Sequence, residues 1–163
     1  MASITTTGKI VGMDDFARNL NALGQDIGKN VLQKATFQAV AKWRDRAKQL
    51  APVHDKIHVI GRKGKQRLIA PGNLRRNIKV KKLREFRGTF SKEARYGIII
   101  TKDAWYWKFV EFGVPAYGIG PKSFLRNTFA EMAPGAFNDM IVAARAYVAK
   151  MQKRGKISRS VRI

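Results

Sequence analysis

The sequence predicts an α+β domain in which N-terminal amphipathic helices and a C-terminal helix pack on a small, mostly antiparallel β-sheet, with a long basic loop or hairpin inserted between them. Three observations predict it. Apolar residues recur at helical spacing through 27–50 and again through 136–153, apolar and basic residues alternate through 78–83, and a stretch rich in Lys, Arg and Gly lies between the first helices and that alternation.

Residues 1–12 are Thr-rich and weakly apolar, and read as a flexible N-terminal arm or an edge strand. Asp14 or Asp15 suits a helix start, because a short carboxylate accepts from the orphan N–H groups of a first turn. Phe16, Leu20 and Leu23 follow at helical spacing, and Gly24 and Gly28 loosen the join to a second helix over 27–50. There Val31, Leu32, Ala35, Ala39, Val40, Trp43, Ala47 and Leu50 trace one apolar stripe, and Pro52 ends it. The insert 54–72 carries Arg62, Lys63, Lys65 and Arg67 and reads as an exposed hairpin or mobile loop, closed by the turn Pro71-Gly72-Asn73.

The alternation in 78–83 marks a strand with one wet face; 87–90 could pair back on it, and 95–101, with its run Ile98-Ile99-Ile100, reads as a more buried strand. Trp105, Trp107 and Phe109 suit a strand, whereas Trp105, Phe109 and Phe112 suit a helix; Gly113 favours a short helix that it closes. Residues 122–132 and 136–153 then read as helices with Pro134 breaking them, and Phe137, Ile141, Ala144, Tyr147, Val148 and Met151 form an apolar face. One domain over 13–153 follows, with a basic C-terminal tail, 154–163, expected to be disordered or to order only on contact.

Charge narrows the partners. Thirty-three Lys and Arg against 11 Asp and Glu leave +22 at neutral pH. Such a balance favours polyanions or acidic protein surfaces, since attraction and counterion release scale with the charge neutralised. The chain has no Cys, which excludes disulfides, thiolate metal sites and a Cys nucleophile. The opening residues lack a basic-then-apolar order, so no secretory signal is expected. No uncharged apolar run approaches the roughly 20 residues of a membrane-spanning helix, so no membrane partner is expected.

Catalytic patterns are weak. His54-Asp55-Lys56-Ile57-His58 echoes a zinc-binding His-Glu-x-x-His, but that pattern works only on a helix, Asp is a methylene too short, and no third His exists. Gly61-Arg62-Lys63-Gly64-Lys65 lacks the spacing and the Ser or Thr of a phosphate loop, and Gly118-Ile119-Gly120 runs into Pro121. Glu111, set among aromatics, suits a general acid or a buried acid paired to an Arg, and the excess of Arg favours the pair. No catalytic residue, metal or cofactor is expected, and the chain does not read as an enzyme. Basic residues cluster at 62–67, 75–87 and 150–162, which suits contacts to phosphate more than to base edges.

The stretch from Trp105 to Phe129 carries a resemblance. Val110, Glu111, Phe112 and Gly113, and then Pro121, Phe124, Leu125 and Arg126, resemble a motif of phage tail-component proteins typified by gene product ten of HK-ninety-seven-type phages. In that family an aromatic stretch ends in Val-Glu-(aromatic or Leu)-Gly-(Thr), a short Pro-rich loop follows, and Pro-x-Pro-Phe-Leu-Arg-Pro-Ala opens the last helix. Upstream, Ala51-Pro52 and Gly72-Asn73-Leu74-Arg75-Arg76-Asn77-Ile78 resemble the family's Ala-Pro-x-x-Thr-Gly-x-Leu-Arg-x-Ser-Ile, split here by the basic insert. Val114, Ser123 and Asn127-Thr128 depart from the pattern.

The residues also make physical sense unaided. Gly113 permits a turn that a β-carbon forbids, Pro121 pre-sets a helix start with Ser123 able to cap it, and Phe124, Leu125 and Phe129 are expected under the aromatics that include Trp105, Trp107 and Phe109. Glu111 is expected to anchor Arg126 or Arg75. The resemblance implies a virion protein assembled in the bacterial host cytoplasm. Specifically, it implies a tail-completion or neck subunit, in a homo-oligomeric and commonly hexameric ring between tail tube and head connector, with DNA passing through the lumen. Contact with neighbouring neck and tail tube proteins, and non-specific contact with phage DNA, is then expected of Arg62, Lys63, Lys65, Arg67, Arg75, Arg76, Lys153, Arg154, Arg159 and Arg162. The rival is a free-standing basic nucleic-acid-binding protein.

Overall fold

A 26-residue helix organises the chain. The computed structural model describes residues 13–23, 25–60, 66–83 and 95–158. Helix α1 (Met13–Ala22) leads into α2 (Gln25–Leu50), which at 1.5 Å per residue is about 39 Å long. That length lets α2 serve two cores in turn, and it touches α1, both strands of a sheet and the two last helices. Its stripe of small residues makes this close packing feasible, since Ala35 and Ala47 are fully buried and Ala39 nearly so. Gly28, expected to loosen a join, lies inside α2. A β-carbon there would stand 2.7 Å from the Leu20 carbonyl oxygen, so the glycine lets α1 fold back against α2.

A two-stranded antiparallel hairpin follows, with β1 (His58–Ile60) pairing Val59 opposite Leu68 of β2 (Arg67–Ile69). The insert's Arg62, Lys63 and Lys65 lie outside the described residues. A five-residue helix α3 (Asn73–Asn77) then runs directly into β3 (Ile78–Lys82), which pairs antiparallel with β4 (Tyr96–Ile100), Ile78 opposite Ile100. The strand expected to be the more buried, β4, is half-buried throughout, whereas β3 buries Ile78 and exposes Lys79, Lys81 and Lys82; α2 and α3 both pack on the pair. The back-pairing expected of 87–90 lies outside the described residues.

The C-terminal third is helical. Helix α4 (Trp107–Phe112) ends at Gly113, α5 (Phe124–Met132) follows a turn-rich loop, and α6 (Ala136–Lys153) comes after a 3-10 turn holding Pro134. Phe16, Val31, Ala35, Ala144 and Val148 centre the first core, between α1, α2 and α6. Ala47, Leu74, Ile78, Ala104 and Phe124 centre the second, beneath α4. The tail expected to be disordered from residue 154 starts in order. Gly155 (φ +67°) donates to the Gln152 carbonyl and Lys156 to that of Met151, both at 3.0 Å, which stops α6 with a left-handed glycine and seats buried Ile157 in the first core. No helix of the described residues is long and apolar enough to cross a membrane.

Candidate functional site

The motif residues meet where α4 ends and α5 begins, and the two helices finish each other. The last carbonyls of a helix and the first N–H groups of the next lack partners of their own. Here the Val110 and Glu111 carbonyls accept from the Lys122 and Ser123 backbone N–H groups, at 2.9 and 3.3 Å. In return the Glu111 carboxylate caps α5. Its Oε2 accepts from the Leu125 N–H at 2.9 Å, and its Oε1 from the Arg126 N–H at 3.1 Å. Glu111 is 1% exposed, and Arg126 compensates its charge through an Nε–H bond to Oε1 at 3.1 Å. Arg126 Nη2 also donates to the Glu111 carbonyl at 3.0 Å and to Ser123 Oγ at 2.9 Å.

Ser123 therefore does not cap α5 as expected. It is held in the left-handed region (φ +44°) and makes no side-chain cap bond, because the Glu111 carboxylate, from the preceding helix, occupies the capping position. Pro121 lies ahead of α5 rather than in its first turn, as part of the loop that Gly113 turns into. That loop is closed by the bridge between Val114 and Ile119 and contains a 3-10 turn at Pro115–Tyr117. Gly113 adopts φ +73° and ψ 179°, and a β-carbon on it would meet the Ile119 oxygen at 2.5 Å and the Pro121 nitrogen at 2.8 Å. Both the torsion and the space demand glycine.

Packing divides the aromatics. Phe124 is fully buried in the second core, where Trp107, Val110 and Leu125 pack against it. Phe129 does not join them. It is 64% exposed and sets its ring edge-on to Trp43 of α2 at 5.7 Å, while the polar Thr128 takes the inward position and donates to the Phe124 carbonyl at 2.7 Å. Trp105, Phe109 and Phe112, expected among the packing residues, present exposed faces.

The upstream motif supports the same place. Gly72 (φ +70°) starts α3, Asn73 donates to the Asp103 carbonyl at 3.0 Å, and Asn77 donates back to the Asn73 carbonyl at 2.9 Å and is bonded to Thr101. Nothing in the periodicity of the sequence marked these two asparagines. Arg75 does not bond Glu111. Its Nε and Nη2 donate to the carbonyls of Ala51 and Gln49, at 3.0 and 3.2 Å, so it caps the C-terminal end of α2. Arg76 donates to the Pro71 carbonyl at 2.8 Å. Arg67, Lys153 and Arg154 are exposed; Arg159 and Arg162 lie outside the described residues.

The geometry suits holding rather than reacting. Both Glu111 oxygens are engaged by N–H donors, which fixes the carboxylate in place. His54 lies in irregular chain after α2 and His58 opens β1, so the helical spacing that a His-x-x-x-His metal pair requires does not occur. Among the described residues no group of three His, Cys, Asp or Glu is placed to hold a metal.

Fold and site thus define a small α+β protein whose motif residues lock two helices together. Residues 14–113, more than half of the chain, match the HK97-gp10-like family, described as "Bacteriophage HK97-gp10, putative tail-component", and the chain belongs to that family. The match takes in the Gly72-Asn73-Leu74-Arg75 turn and ends at Gly113, before Pro121. No curated protein and no solved structure matches the chain. Membership makes this a structural protein of a phage particle, which works in contact with other tail or neck proteins.

Proposed function

We propose that the chain is a tail-completion or neck subunit, forming a hexameric ring that joins the tail tube to the head connector around the DNA channel. The family match over 14–113 carries this reading. The charge of +22 supports it, since a ring lining a DNA path gains from cations that meet phosphate without reading bases. In this reading the cations Arg62, Lys63, Lys65 and Arg67 of the basic insert, with Lys153, Arg154, Arg159 and Arg162, face DNA or an acidic neighbouring ring. Reversing the four insert charges to Glu is expected to leave circular dichroism unchanged and to block the joining of heads to tails. Normal yields of infectious particles from that variant would contradict the proposal.

The same charge favours a second reading, a free-standing nucleic-acid-binding protein. It requires tight duplex binding without any tail protein, with log K falling steeply against log salt. Weak, salt-labile binding by the isolated chain, alongside its recovery in purified particles, decides for the neck.

A further inference from the structure

Three large aromatics at and just ahead of α4 lie exposed together. Trp105, Phe109 and Phe112 are 44, 49 and 59% exposed. Trp105 already has right-handed helical torsions, so the three follow at i, i+4 and i+7 and share one helix face. The face opposite carries buried Glu111 and its bonds to α5, which fix the stripe from behind. The rings are also fixed among themselves: Trp105 and Phe109 meet edge to face at 5.8 Å, and the Arg126 guanidinium lies 5.2 Å over the ring of Phe112. Exposed Lys102, Lys108, Lys122 and Arg126 flank the stripe along the chain, against exposed Asp103, and Lys108 lies 6.0 Å from the centre of the Trp107 ring.

We propose that this stripe is the anchor by which the chain docks an acidic surface of a different protein of the phage particle, an inference that rests on the virion reading above. Rigid aromatics and Arg at the centre, with a charged rim, are the composition of protein interfaces in which a few anchors carry the affinity. Because the stripe is held before contact, docking it costs little ordering. Charge selects the occupant. A second copy facing it stripe to stripe would set Lys108 and Arg126 against the same cations, like charge against like. Duplex DNA would satisfy the lysines but keeps its bases stacked inside, leaving the rings nothing to stack on, since aromatic platforms serve single strands. An apolar pocket edged with Asp and Glu satisfies both features.

The test uses full-length chain assembled into particles, with the photo-crosslinker substitution Phe109→p-benzoylphenylalanine, or the same substitution at exposed Val142 of α6 as control. Irradiation followed by mass spectrometry is expected to join position 109, and not 142, to another virion protein at a peptide flanked by Asp or Glu. A cross-link from 109 to a second copy or to DNA, or none in particles that contain the chain, overturns the docking proposal and leaves the virion role standing. Absence of the chain from particles overturns both. As a second readout, the Trp105→Ala/Phe112→Ala variant is expected to keep its circular dichroism and to enter particles at least tenfold less; undiminished incorporation counts against the stripe.

Discussion

Glu111 and Arg126 belong to different helices, and each completes the other's helix end. The Glu111 carboxylate accepts from the first free N–H groups of α5, while the Arg126 guanidinium donates to that carboxylate at 3.1 Å and to the Glu111 carbonyl at 3.0 Å. The partnership is unequal, since the Glu111 side chain is 2% exposed and that of Arg126 is 57% exposed. Losing one partner therefore has different consequences from losing the other.

Glu111→Ala strands two partly buried backbone N–H groups, each worth about 1–3 kcal/mol when left without an acceptor. A loss of roughly 3 kcal/mol is expected in urea denaturation. Glu111→Gln keeps one acceptor oxygen and should lose less. Arg126→Ala leaves the buried carboxylate without its countercharge but with both backbone donors, and should cost less than Glu111→Ala, about 2 kcal/mol. Equal losses for Glu111→Ala and Arg126→Ala would show that the ion pair, rather than the cap, holds the junction.

Gly113 and Gly120 look alike in the sequence but not in the fold. Gly113→Ala forces a β-carbon into the backbone at 2.5 Å and an unfavourable φ, so a loss on the order of 3 kcal/mol is expected. Gly120 has no atom within 4 Å of an added β-carbon, and Gly120→Ala should change stability by about 0.5 kcal/mol or less. Thermal unfolding of the two variants side by side checks the contrast.

Phe124 and Phe129 make a similar pair. Phe124→Ala opens the second core and should cost about 3–5 kcal/mol. Phe129→Ala loses an edge contact with Trp43 from a ring that is 64% exposed, and about 1 kcal/mol is expected.

Acid should loosen the contact between α2 and α5. The Arg46 Nε–H donates to Glu131 at 2.6 Å, and that bond, reinforced by the charge of Arg46, holds the Glu131 carboxyl below its ordinary value of 4.5. A carboxyl lowered by folding stabilises the fold above its unfolded value, and that contribution is lost as pH falls through the folded value. The contribution is therefore whole at neutral pH and fades below 4.5. NMR titration should place the Glu131 midpoint below 4.5, and Arg46→Ala should bring it back.

Much of this architecture was legible because it is local. The stripe of Val31, Ala35, Ala39 and Ala47 fixed α2, the alternation around Val80 fixed β3, and Gly113 followed Phe112 as a helix stop. What escaped is set by contacts across the chain. Helix α3 is too short for a period to declare it, and rests on the bond from Asn73 to the Asp103 carbonyl and the bond from the Thr101 hydroxyl to Asn77. Ser123 has the composition of a cap, yet Glu111 fills that role from another helix. Phe129 is as apolar as Phe124, but Thr128, bonded within its own helix, takes the inward place. Arg75 counted as one more cation until the end of α2 claimed it. Ile157 sat in a segment whose composition spoke only of charge, and one glycine turns it into the core.

Cryo-EM of the particle at the joint between head and tail tests the central claim most directly. The account predicts a hexameric ring of this chain between tail tube and connector, with the α4–α5 junction intact and Trp105, Phe109 and Phe112 against a neighbouring protein. A joint built without this chain, in particles that are otherwise complete, would contradict it.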